Sequence, residues 1–250
     1  MNTFEIQGPG GDVISCAGVP GSGEKVLIAA HGFGSSALSP TNRRLMQVLP
    51  ERTGCGVVSF DFPEHGASRA GRTSLRIGIC MDYLAAVENA VHARAPQAEI
   101  LYFGSSFGAY ITALYLSLRL HRGSRAFFRS AAVTMPQILL GQSNPAAEAQ
   151  LAEQGWFALD YPGYVRPLEL TAEFLQDLRE HDLFKLYKPG PWLTMLHGSA
   201  DETAPYEAAQ RFARFSGAAL ITVPGGHHSL SEGEQPSLMA DAAAEFVLGR

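Results

Sequence analysis

The sequence predicts an α/β protein, a single domain built on a mostly parallel sheet with helices on both faces. Three observations carry that expectation. Short runs rich in apolar, β-branched and aromatic residues alternate with longer helix-like stretches along most of the 250 residues, the trace that successive βα units leave in a chain. Several short runs, such as KVLIAA at 25–30, are apolar at consecutive positions, as strands covered on both faces must be. The composition is 46% hydrophobic and 17% charged, which excludes a largely disordered chain.

Taken in order, residues 3–7 and 12–16 flank Gly8-Pro9-Gly10-Gly11 and read as an N-terminal hairpin. Strands are expected at 25–30, 56–60, 99–103, 126–134, 192–196 and 218–223, and helices at 42–51, 74–95, 107–120, 171–180, 206–215 and 236–248. The 74–95 segment is long and amphipathic and stops just before Pro96, where the proline ring disfavours helical backbone. The 107–120 segment is apolar nearly all round, so it should be a buried helix packed on the sheet. The stretch 136–191 breaks the rhythm. It lacks a clear strand, yet holds Trp156, Phe157, Tyr161, Tyr164, Phe174, Phe184 and Tyr187. It is too long for an ordinary connection and is expected to form a short helical lid insertion, at about 137–190, over a pocket within one domain spanning 1–250. A helical crossover with a surface loop is the plainer alternative.

Charge and cysteine content narrow the function classes. The net charge is −5, with 24 acidic and 19 basic residues and no run of like charges, which argues against a nucleic-acid or anionic-membrane footprint. Nowhere do about 18 apolar residues follow one another, so no membrane span is expected. Cys16, Cys55 and Cys80 are scattered, with no CxxC pair, and read as buried free thiols of a reducing compartment. The N-terminus has no basic segment leading into an apolar one, so cytoplasmic localisation is expected. HExxH, paired-cysteine, GxGxxG and GxxxxGK patterns are all missing; neither a metal nor a cofactor is expected.

The chemistry is carried by three strand ends. Gly104-Ser105-Ser106-Phe107-Gly108 is the chain's single GxSxG. The string alone is weak, but it sits directly after the strand EILYF and directly before the buried helix, the setting a nucleophile elbow requires. The flanking glycines relieve a sharp turn, and the helix N-terminus behind the serine favours developing negative charge. A serine needs a base, and the base needs an acid to hold its tautomer. Beyond WLTML lies His197-Gly198-Ser199-Ala200-Asp201-Glu202-Thr203-Ala204-Pro205, and beyond the 218–223 strand lies Gly225-Gly226-His227-His228-Ser229-Leu230. The order serine, aspartate, histidine suits this elbow. Near the N-terminus, KVLIAA runs into His31-Gly32-Phe33-Gly34. That turn can bring the Phe33 N–H toward the serine, and the Phe107 N–H would complete an oxyanion hole; the His31 side chain is read as a turn stabiliser.

Together with Asp61-Phe62-Pro63-Glu64-His65-Gly66-Ala67-Ser68, these motifs resemble the α/β-hydrolase superfamily, and within it small bacterial serine esterases of the cinnamoyl (feruloyl) esterase and monoacylglycerol lipase kinds. The resemblance runs from about residue 25 to the C-terminus and fails in the lid. It implies an α/β-hydrolase fold, with Ser106 as nucleophile, Asp201 as acid, one of His227 and His228 as base, and Phe33 and Phe107 as oxyanion donors. Relatives often carry Gly-x-Gly-x-Ser where this chain has Glu64-His65-Gly66-Ala67-Ser68, a departure that touches a loop near the pocket. Serine at the elbow excludes the dehalogenase branch. Asp61 precedes the elbow and is expected to brace a loop, and Glu202 to point away. For the base, the Gly-Gly-His register favours His227, whereas Gly-x-x-His-Ser-Leu matches the esterase branch on both sides of the histidine and favours His228, which is chosen.

These readings give a carboxylic-ester hydrolase working through an acyl-enzyme on a small-molecule ester. The lid aromatics, with Trp156, Tyr161 and Tyr164 as candidate pocket residues, favour a hydrophobic or aromatic acyl or alcohol group. Thioester, peptide and acyl-transfer chemistry use the same triad and stay open. A non-catalytic binding module on this fold would normally have lost a triad member, and none is missing. Nothing in the sequence indicates a homo-oligomer.

Overall fold

The structure, a computed structural model, describes residues 1–141 and 144–250. It opens with β1 (Asn2–Gln7), β2 (Val13–Val19), β3 (Lys25–Ala30), α1 (Pro40–Thr53), β4 (Gly56–Phe60), α2 (Ile77–Arg94), β5 (Glu99–Ser105), α3 (Phe107–Leu118) and β6 (Arg125–Arg129). There follow α4 (Met135–Leu140), α5 (Pro145–Gln154), β7 (Trp156–Leu159), β8 (Leu168–Thr171), α6 (Ala172–Glu180) and α7 (Leu183–Leu186). The chain closes with β9 (Trp192–Gly198), α8 (Tyr206–Ser216), β10 (Ala219–Val223) and α9 (Gln235–Leu248). Residues 142 and 143, within the stretch expected to form the lid, lie outside the described residues.

Eight strands make one sheet in the order β1-β2-β4-β3-β5-β6-β9-β10. The β1–β2 and β2–β4 pairs are antiparallel and the other neighbours parallel. The expected fold class, α/β with helices on both faces of a mostly parallel sheet, is what the chain forms. The period of two along each strand sorts side chains between two cores. Leu27, Leu101, Phe103 and Phe127 pack with Leu45 and Leu49 of α1 and Met239 and Ala243 of α9. Ile28, Ile100, Tyr102 and Phe128 pack with Tyr83 and Leu84 of α2 and Tyr110 and Leu114 of α3. That is why KVLIAA and EILYF are apolar throughout. A fully buried side chain such as Leu101 or Phe103 contributes about 2 kcal/mol by leaving water. α3 is buried on nearly every side, as its composition requires. Among the described residues no helix is long and apolar enough to cross a membrane.

Several expected boundaries move. The strand expected at 126–134 ends at Arg129, because Ser130 turns to φ 46° and leaves the ladder. The helix expected from 74 starts at Ile77, after a short turn over Arg72–Ser74. The larger correction lies in 136–191, where no clear strand was expected: β7 and β8 pair there as an antiparallel hairpin separate from the main sheet. Four-residue strands carry too little period to be told from helix or loop. The helices α4, α5, α6 and α7 are the other regular elements among the described residues of that stretch.

Candidate active site

The elbow follows from local sterics. Ser106 adopts φ 53°, ψ −113°, between the last residue of β5 and the first of α3. A side chain at Gly104 would begin 2.5 Å from the Ala109 Cα, and one at Gly108 2.3 Å from the Ala30 carbonyl oxygen. Both contacts are with backbone and cannot swing aside, so only glycine lets α3 leave the strand so abruptly. The strained turn, worth about 1–3 kcal/mol, is held from below. The Ser106 N–H donates to the Arg129 carbonyl at 3.0 Å, and the Ser106 carbonyl accepts from the Ala132 N–H at 3.2 Å.

Opposite the elbow, the loops after β9 and β10 bring in Asp201 and His228. His228 Nε2 lies 3.0 Å from Ser106 Oγ, and His228 Nδ1 lies 2.9 Å from Asp201 Oδ2 and 3.0 Å from Oδ1. The carboxylate can only accept, so Nδ1 carries the proton and Nε2 is left to accept from the serine. Asp201 Oδ1 also accepts the Thr203 and Ala204 amides at 3.0 and 2.8 Å, a turn that fixes its orientation. Burial alone would push the Asp201 carboxyl up, but hydrogen bonds from His197, His228 and the Ala204 amide outweigh it and hold the group far below the usual carboxylate range. The Asp201 side chain is fully buried and that of His228 is 25% exposed. His227 is exposed, and among the described residues its ring makes no hydrogen bond.

The expected oxyanion donors flank the serine. Gly32 is so close that a side chain there would begin 3.5 Å from the Ser106 Cβ, and Phe33 follows it. Among the described residues neither the Phe33 nor the Phe107 amide donates to a protein acceptor. The Phe33 ring packs edge-on against Phe107 at 5.1 Å and His65 at 5.2 Å, and stacks on Phe174 of α6 at 6.1 Å between centroids. His31 spends both ring nitrogens on structure: Nδ1 donates to the Gly32 carbonyl at 2.8 Å and Nε2 accepts from the Phe62 amide at 3.1 Å. Asp61 braces two loops, accepting the Ala37 amide at 2.6 Å and the Ala67 amide at 2.9 Å. Glu202 is exposed.

The three candidate pocket residues are placed differently. Tyr164 lies flat on Gly34, where a side chain would meet its ring at 2.3 Å, while the Val165 amide donates to the Gly34 carbonyl at 2.8 Å. Tyr161 is 48% exposed and packs edge-on against Tyr164. Trp156 lies under the Arg72 guanidinium, 4.4 Å from the ring centroid, and Arg72 also binds Glu169 at 2.6 Å. The departure at Glu64 has a partner in the same segment. Glu64 takes a left-handed φ of 68°, and its carbonyl and carboxylate both accept from Arg166 at 2.8 Å.

Four groups near the site were not singled out from the sequence: His197, His65, Arg129 and Arg166. His65 is fully buried with its ring parallel to that of Phe107, and burial holds its imidazole down to about 3. The Arg129 guanidinium, pulled down to about 10 by burial against the opposing pull of Asp201, donates to Ser105 Oγ at 3.0 Å. Of these His197 and His65 left a readable signal, His197 as the first residue of the motif that carries Asp201 and His65 within the 61–68 motif. Among the described residues no three His, Cys, Asp or Glu side chains cluster as a metal site.

No curated protein matches the sequence at a significant level. Solved structures match the fold. A protein described only as an inferred hydrolase from Agrobacterium vitis S4 superposes with a TM-score of 0.81 at 23% identity, covering 98% of each chain. Est1E from Butyrivibrio proteoclasticus, seen with ferulic acid bound, gives 0.79 at 20% identity, again over 98% of each. An esterase from Exiguobacterium antarcticum gives 0.72 at 16% identity, over 98% of this chain and 99% of its own. The model of the Alpha/beta hydrolase family matches residues 26–242, which hold the elbow, both histidine-bearing turns and the loop of Asp201. The chain belongs to the alpha/beta hydrolase family.

Proposed function

We propose that the protein is a serine hydrolase that cleaves carboxylic esters through an acyl-enzyme. The observation that supports this best is the continuous hydrogen-bonded line from Ser106 Oγ through His228 to Asp201. His228 Nε2 takes the Ser106 proton as Oγ attacks the acyl carbon, and the imidazolium is steadied by Asp201. The Phe33 and Phe107 amides then donate to the tetrahedral oxyanion, which gains most where charge develops. His228 returns its proton to the departing alkoxide, releasing the alcohol and leaving the acyl group on Ser106. A water molecule repeats the sequence, giving its proton to His228 and its oxygen to the acyl carbon; the carboxylic acid departs and Ser106 regains its proton. His227 stands outside this line.

The aromatic wall of Phe33, Tyr164 and Phe174 supports a hydrophobic or aromatic acyl or alcohol group, and the ferulic acid held by Est1E on the same fold is in keeping with it. Ser106→Ala should lower kcat on p-nitrophenyl acetate by roughly 10⁴ or more with the fold intact. A fluorophosphonate probe should label Ser106 and not Ser105. Wild-type turnover by the alanine variant would falsify the proposal.

A further inference from the structure

Asp201 faces two imidazoles, and the proposed reaction uses one. His197, at the end of β9, is fully buried. Its Nε2 lies 3.1 Å from Asp201 Oδ2 and 2.8 Å from the Ala204 carbonyl oxygen, while among the described residues its Nδ1 has no hydrogen-bond partner. Both neighbours of Nε2 are acceptors, so the proton sits on Nε2 and the ring acts there as a donor.

The two oxygens of Asp201 are served unequally. Oδ1 takes the Thr203 and Ala204 amides as well as His228. Among the described residues, Oδ2 has only His197 beside His228. The orientation of the carboxylate is therefore secured from Oδ1, while the N–H of His197 is the one positive dipole beside His228 that faces Oδ2 among the described residues. Beside a fully buried carboxylate such a dipole acts more strongly than it would at a surface.

We infer that His197 is a positioning residue for the acid: its Nε2–H, hydrogen-bonded to the Ala204 carbonyl, also faces Asp201 Oδ2 at 3.1 Å and limits how tightly Asp201 holds a protonated His228. The consequence lies in pH dependence. A base held too firmly as imidazolium is unavailable until the medium turns more alkaline. Two other groups face the pair: Arg129 from β6, with its guanidinium on Ser105 Oγ, and Tyr206 from α8, with its ring 6.1 Å from that of His197. Neither hydrogen-bonds to the carboxylate. The exposed Glu202 lies next in sequence.

The inference rests on the triad proposed above, and its test separates the two. Nitrogen-15 NMR of the imidazoles in the wild-type enzyme should find His197 protonated at Nε2; a proton on Nδ1 alone would overturn the inference whatever the activity. His197→Phe removes the donor. Its kcat/KM profile on p-nitrophenyl acetate should keep its shape while the acidic limb moves up by on the order of one pH unit, a loss of about tenfold at pH 5.5 that shrinks sharply on the alkaline plateau. His197→Gln, which keeps a donor at the same reach, should bring the limb back. A limb that stays in place or moves down in the phenylalanine variant, or that glutamine fails to restore, refutes the role and leaves His197 a packing residue. Should the phenylalanine variant not fold, the ring tautomer decides. Failure of the serine reading shows instead in Ser106→Ala.

Discussion

At the scale of single residues, the site is shaped as much by side chains that are missing as by those present. Gly108 lets the first turn of α3 lie against the Ala30 carbonyl, an approach that one methyl group would block at 2.3 Å. Gly78 in α2 is its opposite, with open space where a side chain would stand and ordinary helical backbone. Gly108→Ala should therefore cost about 3 kcal/mol, whereas Gly78→Ala should be neutral or stabilise by up to about 1 kcal/mol. Urea unfolding of both variants checks the pair. Equal midpoints would mean that the close approach at the elbow does not govern stability. Glu64 shows a different economy. A left-handed backbone is unfavourable for a glutamate, but a glycine there would lack the carboxylate that holds Arg166.

At the scale of elements, α6 joins the aromatic wall to the frame. Phe174 stacks on Phe33, and one turn further on Asp177 Oδ2 accepts the first amide of α2 at 2.6 Å, a carboxylate placed where a helix N-terminus favours one. Asp177 also faces Arg76 at 3.6 Å and His181 at 3.2 Å. Burial opposes ionisation of Asp177, but the His181 ring, the Ile77 amide and the Arg76 charge outweigh it and hold the carboxyl low. The same pairing, ahead of the opposing effect of burial, holds His181 high. The signs fix a window. The contribution of Asp177 is complete above its unfolded value of about 3.9 and is lost as pH falls through the lower folded one. That of His181 is complete below about 6.5 and is lost as pH rises through the higher folded one. The junction is thus firmest between about pH 4 and 6.5. Hydrogen exchange, corrected for intrinsic rates, should show α6 amides losing protection severalfold relative to α3 between pH 6 and pH 8. His181→Gln should abolish that change; a pH-independent ratio in the wild type would count against it.

At the scale of the whole molecule, four segments distant in sequence meet because parallel strands present their carboxyl ends along one edge of the sheet. The turn after β3, the elbow after β5 and the loops after β9 and β10 all lie there. The β7–β8 hairpin reaches the same edge by three ties: the Val165 amide on Gly34, Arg166 on Glu64 and Arg72 on Glu169. We propose that this segment covers the pocket and sets chain-length preference, with Tyr164 as the main contact. Tyr164→Ala should change the ratio of kcat/KM for p-nitrophenyl octanoate over acetate by about tenfold or more. Trp156→Ala, which removes a ring packed under the Arg72 guanidinium, should change it less. An unaltered ratio in both variants would remove the hairpin from the pocket.

Residues 25–30 and 99–108 show what the sequence by itself determined. A strand buried on both faces must be apolar at every position, and a strand-to-helix reversal must carry glycine at 104 and 108, so fold class and elbow follow from short stretches whose constraints are local. The loops after β9 and β10 are legible to the same depth: a carboxylate and a histidine beyond strand ends. Which of two adjacent histidines faces the serine is not a local property. It depends on the path of the loop, set by Gly225 and Leu230 at positive φ and by Gly198 packed so closely on Gly226 that a side chain there would begin 2.1 Å from its carbonyl oxygen; that path turns His228 to Asp201 and leaves His227 in solvent. The β7–β8 hairpin is too short to leave a period, and Arg166 finds Glu64 across 102 residues. His197 meets Asp201 only after the chain has turned back between them. Each of these was decided by contacts that exist only once the sheet edge has been assembled, because the energy that fixes them comes from partners supplied by other elements.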